Sequence, residues 1–128
     1  MRLARIIGAV VALILTTSLG QALVSPADAM ARPEHSIKRL RGGEVGHTNH
    51  FYIKGIVTTF PNGKIKVLRN VAGGSYDVIK KTKTGSSGKF RTPIFQVGRK
   101  KTCFKVQVPA TSVYRKTTSR VIGCIESG

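Results

Sequence analysis

The chain has 128 residues, with 22 Lys and Arg against five Asp and Glu, no Trp and two Cys. That length holds one domain at most, and so few acids argue against catalysis by paired carboxylates. A formal charge of +17 is the main quantitative departure from an ordinary globular composition.

The N-terminal stretch does not read as a domain. Arg2 and Arg5 form a basic start, Ile6 to Leu15 is apolar apart from Gly8, and small and polar residues follow from Thr16. Two Ala-x-Ala sites come next, Ala27-Asp28-Ala29 and Ala29-Met30-Ala31. This order predicts a signal peptide over residues 1–31, with an apolar run too short to span a bilayer comfortably. An uncleaved anchor is the alternative. No Cys lies here, so lipid attachment is not expected. Removing residues 1–31 takes away Arg2, Arg5 and Asp28, leaving 97 residues with 20 basic side chains and four acids, net +16. The expected location is secreted, extracellular or envelope-associated, with no transmembrane segment after cleavage. A chain this short buries roughly 60% of its unfolded surface, so its stability margin is thin.

Residues 32–50 carry no usable periodicity. Pro33, Gly42-Gly43 and Gly46 interrupt any helix, and Ile37, Leu40 and Val45 are the sizeable aliphatics. The segment reads as a flexible basic arm whose last residues join a sheet at most. The cluster Lys38-Arg39-Arg41 is a solvated tail or a contact for an anionic surface.

From Phe51 onward the pattern is strand, turn, strand. Phe51 to Phe60 is rich in β-formers, with Ile53, Gly55 and Val57 on one side. Pro61-Asn62-Gly63 is a turn signal. In Lys64 to Arg69, Ile65 and Val67 point one way and Lys64 and Lys66 the other. Ala72-Gly73-Gly74 turns the chain into Ser75 to Thr84, where Tyr76 and Val78 share one face and Asp77 and Ile79 the other. After Gly85-Ser86-Ser87-Gly88, the run Lys89 to Phe95 aligns Phe90, Thr92 and Ile94, and Pro93 marks an edge strand. Six short strands, with a seventh available from the arm, predict an all-β sandwich or small barrel.

The last two strands hold both cysteines. Phe104, Val106 and Val108 alternate in one, and Ser119 to Ile125 forms its return. If Cys103 faces Cys124 in an antiparallel pair, Val106 faces Val121 and Val108 faces Ser119. The valines then occupy one face and the cysteines the other. The connection from Pro109 to Thr118 is long for a hairpin, and Tyr114 is expected to pack onto the end of the domain. Export makes a Cys103–Cys124 disulfide plausible, enclosing about 20 residues for roughly 3 kcal/mol. Two free thiols are the alternative. The spacing is too short for an Ig disulfide that crosses between sheets.

Residues 51–125 resemble small Ig-like or prealbumin-like β-sandwich modules of secreted bacterial proteins, particularly actinobacterial ones. The matching pieces are Gly55-Ile56-Val57, the strand from Gly63 to Arg69, Gly74-Ser75-Tyr76, Thr84 to Phe90, Phe104 to Thr111, Tyr114 and Ser119. The resemblance implies an Ig-like antiparallel β-sandwich over residues 51–128. It also implies a stalk, spacer or accessory binding unit without chemistry of its own. No catalytic or anchoring domain is expected beside it, which weakens the spacer role, and the high charge favours a binding role.

Few residues could carry chemistry. His47 and His50 have a ligand-like spacing, but no carboxylate or Cys cluster completes a metal shell. With His35 they read as arm histidines. No Gly-x-Ser-x-Gly turn exists, and no catalytic residue, metal or cofactor is expected. A small secreted basic hydrolase would have to use His47 or His50 with Glu44 and Lys or Arg. The basic side chains recur through the strands and turns. Lys64 with Lys66, and Lys81 with Lys83, each share a sheet face, and Arg99, Lys100 and Lys101 form a basic loop. These seven are the candidate polyanion-binding residues. Such charge attracts polyanions and releases counterions on contact. The partners expected outside a cell are anionic cell-wall polymers, acidic glycans, anionic lipid head groups or extracellular nucleic acid. The absence of a recognition helix, an RNP-type aromatic pattern and Trp argues against sequence-specific reading. Solubility alone is the competing explanation of the charge, and partner recognition through a strand edge or loop the competing function.

Overall fold

A computed structural model describes residues 31–127. The expected signal peptide, Ala31 apart, lies outside the described residues. The described residues form eight strands: β1 (Ile37–Glu44), β2 (Phe51–Val57), β3 (Lys64–Val71), β4 (Tyr76–Lys83), β5 (Lys89–Ile94), β6 (Thr102–Val108), β7 (Thr117–Thr118) and β8 (Gly123–Ile125). Among the described residues, no helix is long and apolar enough to cross a membrane.

The strands form two antiparallel sheets. One has the order β1-β2-β5 and the other β4-β3-β6-β7, with β8 also paired to β6. The chain therefore changes sheet after β2, after β4 and after β5. Alternation puts Ile53 and Val57 of β2 and Phe90 and Ile94 of β5 on the inner face of the first sheet. They meet Ile65 and Val67 of β3, Phe104, Val106 and Val108 of β6, and Ile122 and Ile125. One core thus lies between the two sheets, in a sandwich-like arrangement. Pro93 sits on β5, an edge strand, where its missing N–H breaks no outer ladder.

The segment expected to be a flexible arm is β1, paired along the whole of β2. Its lack of alternation comes from a β-bulge. Lys38 faces Ile56, yet Arg41 faces Lys54, and Arg39 occupies the extra position at φ 52. The bulge lets Leu40 turn inward, where it and Phe90 crowd the position a Gly55 side chain would take. Of the glycines that argued against a helix, Gly43 serves the strand, because the Tyr52 ring lies where its side chain would stand. His35, grouped by sequence with the arm histidines, is only 5% exposed. Its Nε2 donates to the Pro109 carbonyl at 2.9 Å, and its Nδ1 lies 2.8 Å from Thr59 Oγ1. Tyr114 packs on the His35 ring at 5.0 Å between centroids, which docks the long Pro109–Thr118 connection.

The disulfide joins Cys103 and Cys124 on neighbouring strands of one sheet, 21 residues apart. Cys103 faces Cys124 in register, but that register does not run to the end of the hairpin. Gln107 faces Thr118 and Val108 faces Thr117, and the Ser119 N–H donates to the Val106 carbonyl at 2.8 Å. The expected Val106–Val121 and Val108–Ser119 pairs are therefore not formed. The physical reason is that Arg120 and Val121 bulge out between Ser119 and Ile122, whose N–H donates to the Phe104 carbonyl. Val121 is left 40% exposed while Ile122 enters the core at 8%. The bulge also frees the Arg120 guanidinium to donate to the Leu40 carbonyl of β1 at 2.8 Å.

On the opposite open side, Lys80 Nζ of β4 donates to the Pro93 carbonyl of β5 at 2.5 Å. Burial lowers the Lys80 pKa below its ordinary value. Each flank of the two sheets is thus tied by a cation bonded to a carbonyl of the facing edge strand.

Gly88 is held at φ 85, with the Val57 carbonyl standing where its Cβ would be, so no side chain fits this turn. Gly88→Ala is expected to cost at least about 2 kcal/mol, read from chemical denaturation. Replacing both Cys103 and Cys124 by Ser is expected to lower stability by about 3 kcal/mol through the lost loop constraint. An unchanged denaturation midpoint would contradict that.

Candidate anion-binding surface

The outward face of the larger sheet follows from what its inward face buries. Ile65 and Val67 of β3 point into the core, so Lys64 and Lys66 point out. In β4, strict alternation from Val78 would turn Lys81 and Lys83 inward. A bulge prevents this: Val67 faces Lys80, yet Leu68 faces Val78, so Ile79 is the extra residue. Ile79 packs against the core, and the alternation restarts with Lys81 and Lys83 outward.

Lys64 consequently faces Lys83, and Lys66 faces Lys81. Directly opposed residues of an antiparallel pair have Cβ atoms about 4.5–5.5 Å apart, and like charges there repel. Lys105 extends the row. It faces Leu68 across β3–β6, and its Nζ lies over the Tyr76 ring at 4.4 Å. That contact steadies the head group while leaving its charge outward. The other positions of this face include Gln107, which bonds Thr118 at 3.0 Å, and Asn70. No acid occupies a position in the row. Glu34 pairs with Arg115 at 3.1 Å, Glu44 accepts the Asn49 N–H at 2.9 Å, and Asp77 faces Arg69.

Four of the seven residues singled out from sequence, Lys64, Lys66, Lys81 and Lys83, therefore form one patch. Arg99, Lys100 and Lys101 do not adjoin it. They lie in the β5–β6 loop, where the Lys101 carbonyl accepts the Ala72 N–H at 2.8 Å, beyond the Val71–Thr102 pair. Val71 lies five positions along β3 from Lys66, about 17 Å of extended chain. Lys105 was legible only as one more basic residue, because its place beside the row depends on the β3–β6 pairing. Lys80, an ordinary surface lysine by sequence, is the inward tie described above.

His47 and His50 are exposed in the β1–β2 loop, with Glu44 bonded to the same loop. Among the described residues, no three His, Cys, Asp or Glu side chains gather as a metal site. Comparison with protein-family models, curated proteins and solved structures gives no match for this chain.

Opposed lysines should cost the isolated fold stability. Lys81→Thr, which keeps a strand-forming residue on this face, is expected to raise stability by up to about 1 kcal/mol at low ionic strength. The gain should shrink at about 0.5 M salt as screening removes the repulsion. Thermal melts at the two salt concentrations measure it, and a salt-independent gain would point to propensity instead.

Proposed function

We propose that this protein is an exported, non-enzymatic β-sandwich protein that associates electrostatically with anionic polymers of the cell envelope or the extracellular space. The observation that carries the reading is the lysine row: Lys64 against Lys83 and Lys66 against Lys81, in register, with no acid among them. Opposed like charges weaken a sheet, and a polyanion lying across them converts that cost into attraction through counterion release. The row lies on the outer face of a sheet, which suits a flexible polymer better than a small molecule. Export is supported by the basic and apolar N-terminal pattern of the sequence and by the disulfide, which favours an oxidising compartment.

We read the sandwich as Ig-like. The order β1-β2-β5 against β4-β3-β6 with β7 and β8 matches A-B-E against C′-C-F-G in an Ig-type scheme, and this supports the resemblance drawn from the sequence. The disulfide then ties two neighbouring strands of one sheet instead of crossing the core.

The test is binding to a duplex DNA of fixed length and to a heparin column over a salt series. Log affinity for the duplex is expected to fall linearly with log salt. The combined variant Lys64→Gln, Lys66→Gln, Lys81→Gln should flatten that slope by about two to three units. No retention at low salt, retention that ignores salt, or an unchanged slope in the variant would overturn the reading.

A further inference from the structure

The smaller sheet carries a second concentration of charge, and its geometry differs from the lysine row. Ile53, Val57, Phe90 and Ile94 face the core, so Lys54, Ile56, Lys89 and Arg91 face outward. Register then aligns Arg41, Lys54 and Arg91 as one rung across all three strands. The rung beside it is Lys38, Ile56 and Lys89. Three cations in one rung span two strand spacings, about 10 Å.

Two features turn this face into a recess. The β1 bulge places Arg39, a non-glycine residue, at φ 52, and bulges of this kind re-aim side chains. The β4–β5 connection brings Lys83 to the same place from the other sheet. A groove of about 470 Å³ results, whose charged lining is Arg39, Lys54, Lys83, Lys89 and Arg91. No acid lines it. The Arg91 guanidinium lies 3.9 Å from the centroid of the Tyr52 ring, which restricts its motion before any ligand arrives.

We propose that this groove is a discrete site for an oligophosphate, a chain of adjacent phosphoryl groups, occupied one to one. It rests on the anionic-ligand reading and adds to it a second, concave site on the other sheet. Five cations in this volume exceed what one phosphate neutralises, since each phosphoryl group carries at most about two charges. A carboxylate brings a single charge and two acceptor oxygens, so a polycarboxylate supplies less charge in the same space. Arg39 and Arg91 offer planar forks to phosphoryl oxygens, and the lysines add mobile point charges. Lys83 belongs to both the groove and the lysine row.

Tripolyphosphate titrated into the disulfide-bonded chain by calorimetry at low salt tests this. Saturation at one equivalent is expected, with citrate binding at least about tenfold more weakly. Lys54→Gln and Lys89→Gln should each weaken tripolyphosphate binding by about tenfold, the loss of one charge-assisted contact. Lys66→Gln, outside the groove, should change it less than about threefold. Neither groove variant touches the Arg91–Tyr52 contact, and unchanged thermal melts would confirm that they fold. Unsaturable binding, equal loss from Lys66→Gln, or equal affinity for citrate would overturn the site. If the duplex DNA is still retained in a salt-dependent way, that failure concerns the groove alone; if that retention is absent too, the underlying reading fails with it.

Discussion

Strand β6 is the constraint on which the rest of the structure depends. It pairs with β3 on one side and with β7 and β8 on the other. Phe104, Val106 and Val108 are fully buried, while Cys103 and Lys105 serve the opposite face. Among the described residues, no other strand contributes at once to the core, the disulfide and the cationic surface. Its return strand is broken because one continuous register could not both pair the cysteines and bury Ile122. The bulge at Arg120 and Val121 resolves that conflict, and the freed guanidinium ties the larger sheet to β1.

Charge is arranged by the same device. Each of the two cationic faces owes part of its composition to a β-bulge, at Ile79 in β4 and at Arg39 in β1. An extra residue reverses the alternation, so cations that a regular strand would distribute between inside and outside are gathered outside. Lys80 is the exception, and it is bonded to a carbonyl where it turns inward. Arg120 and Lys80 show that the basic content is partly structural, closing the flanks of the sheets.

A small domain with a thin stability margin has reason to avoid opposed lysines, yet it carries two such pairs in register and a three-cation rung on the other sheet. The repulsion is tolerable because one core joins both sheets and a disulfide constrains the last hairpin. That balance is what an anionic-polymer reading predicts, since in that reading the partner would supply the missing counter-charge. The lysine row lies on an outer sheet face and is suited to many weak contacts. The groove is concave, with Arg91 held against Tyr52, and suited to fewer and better-placed ones.

The sequence by itself determined the all-β class, the first five strands after the arm, the positions of the turns, the inward residues of β2, β3, β5 and β6, and the Cys103–Cys124 pairing. These are local properties: alternation has a period of two, and Gly, Asn and Pro fix turns through their own backbone preferences. It missed β1, because a bulge and two glycines, Gly42 and Gly43, erase alternation, and Gly43 is explained only by the Tyr52 ring of the neighbouring strand. It missed the break between β7 and β8, since extending a register from one pair assumes that no residue bulges. The candidate surface was legible as two lysine pairs, each on one face. Whether both pairs shared that face, and whether Arg99 to Lys101 joined them, was decided only by the tertiary structure. A single bulged residue exchanges the two faces of a strand, and that bulge is set by what the core accepts.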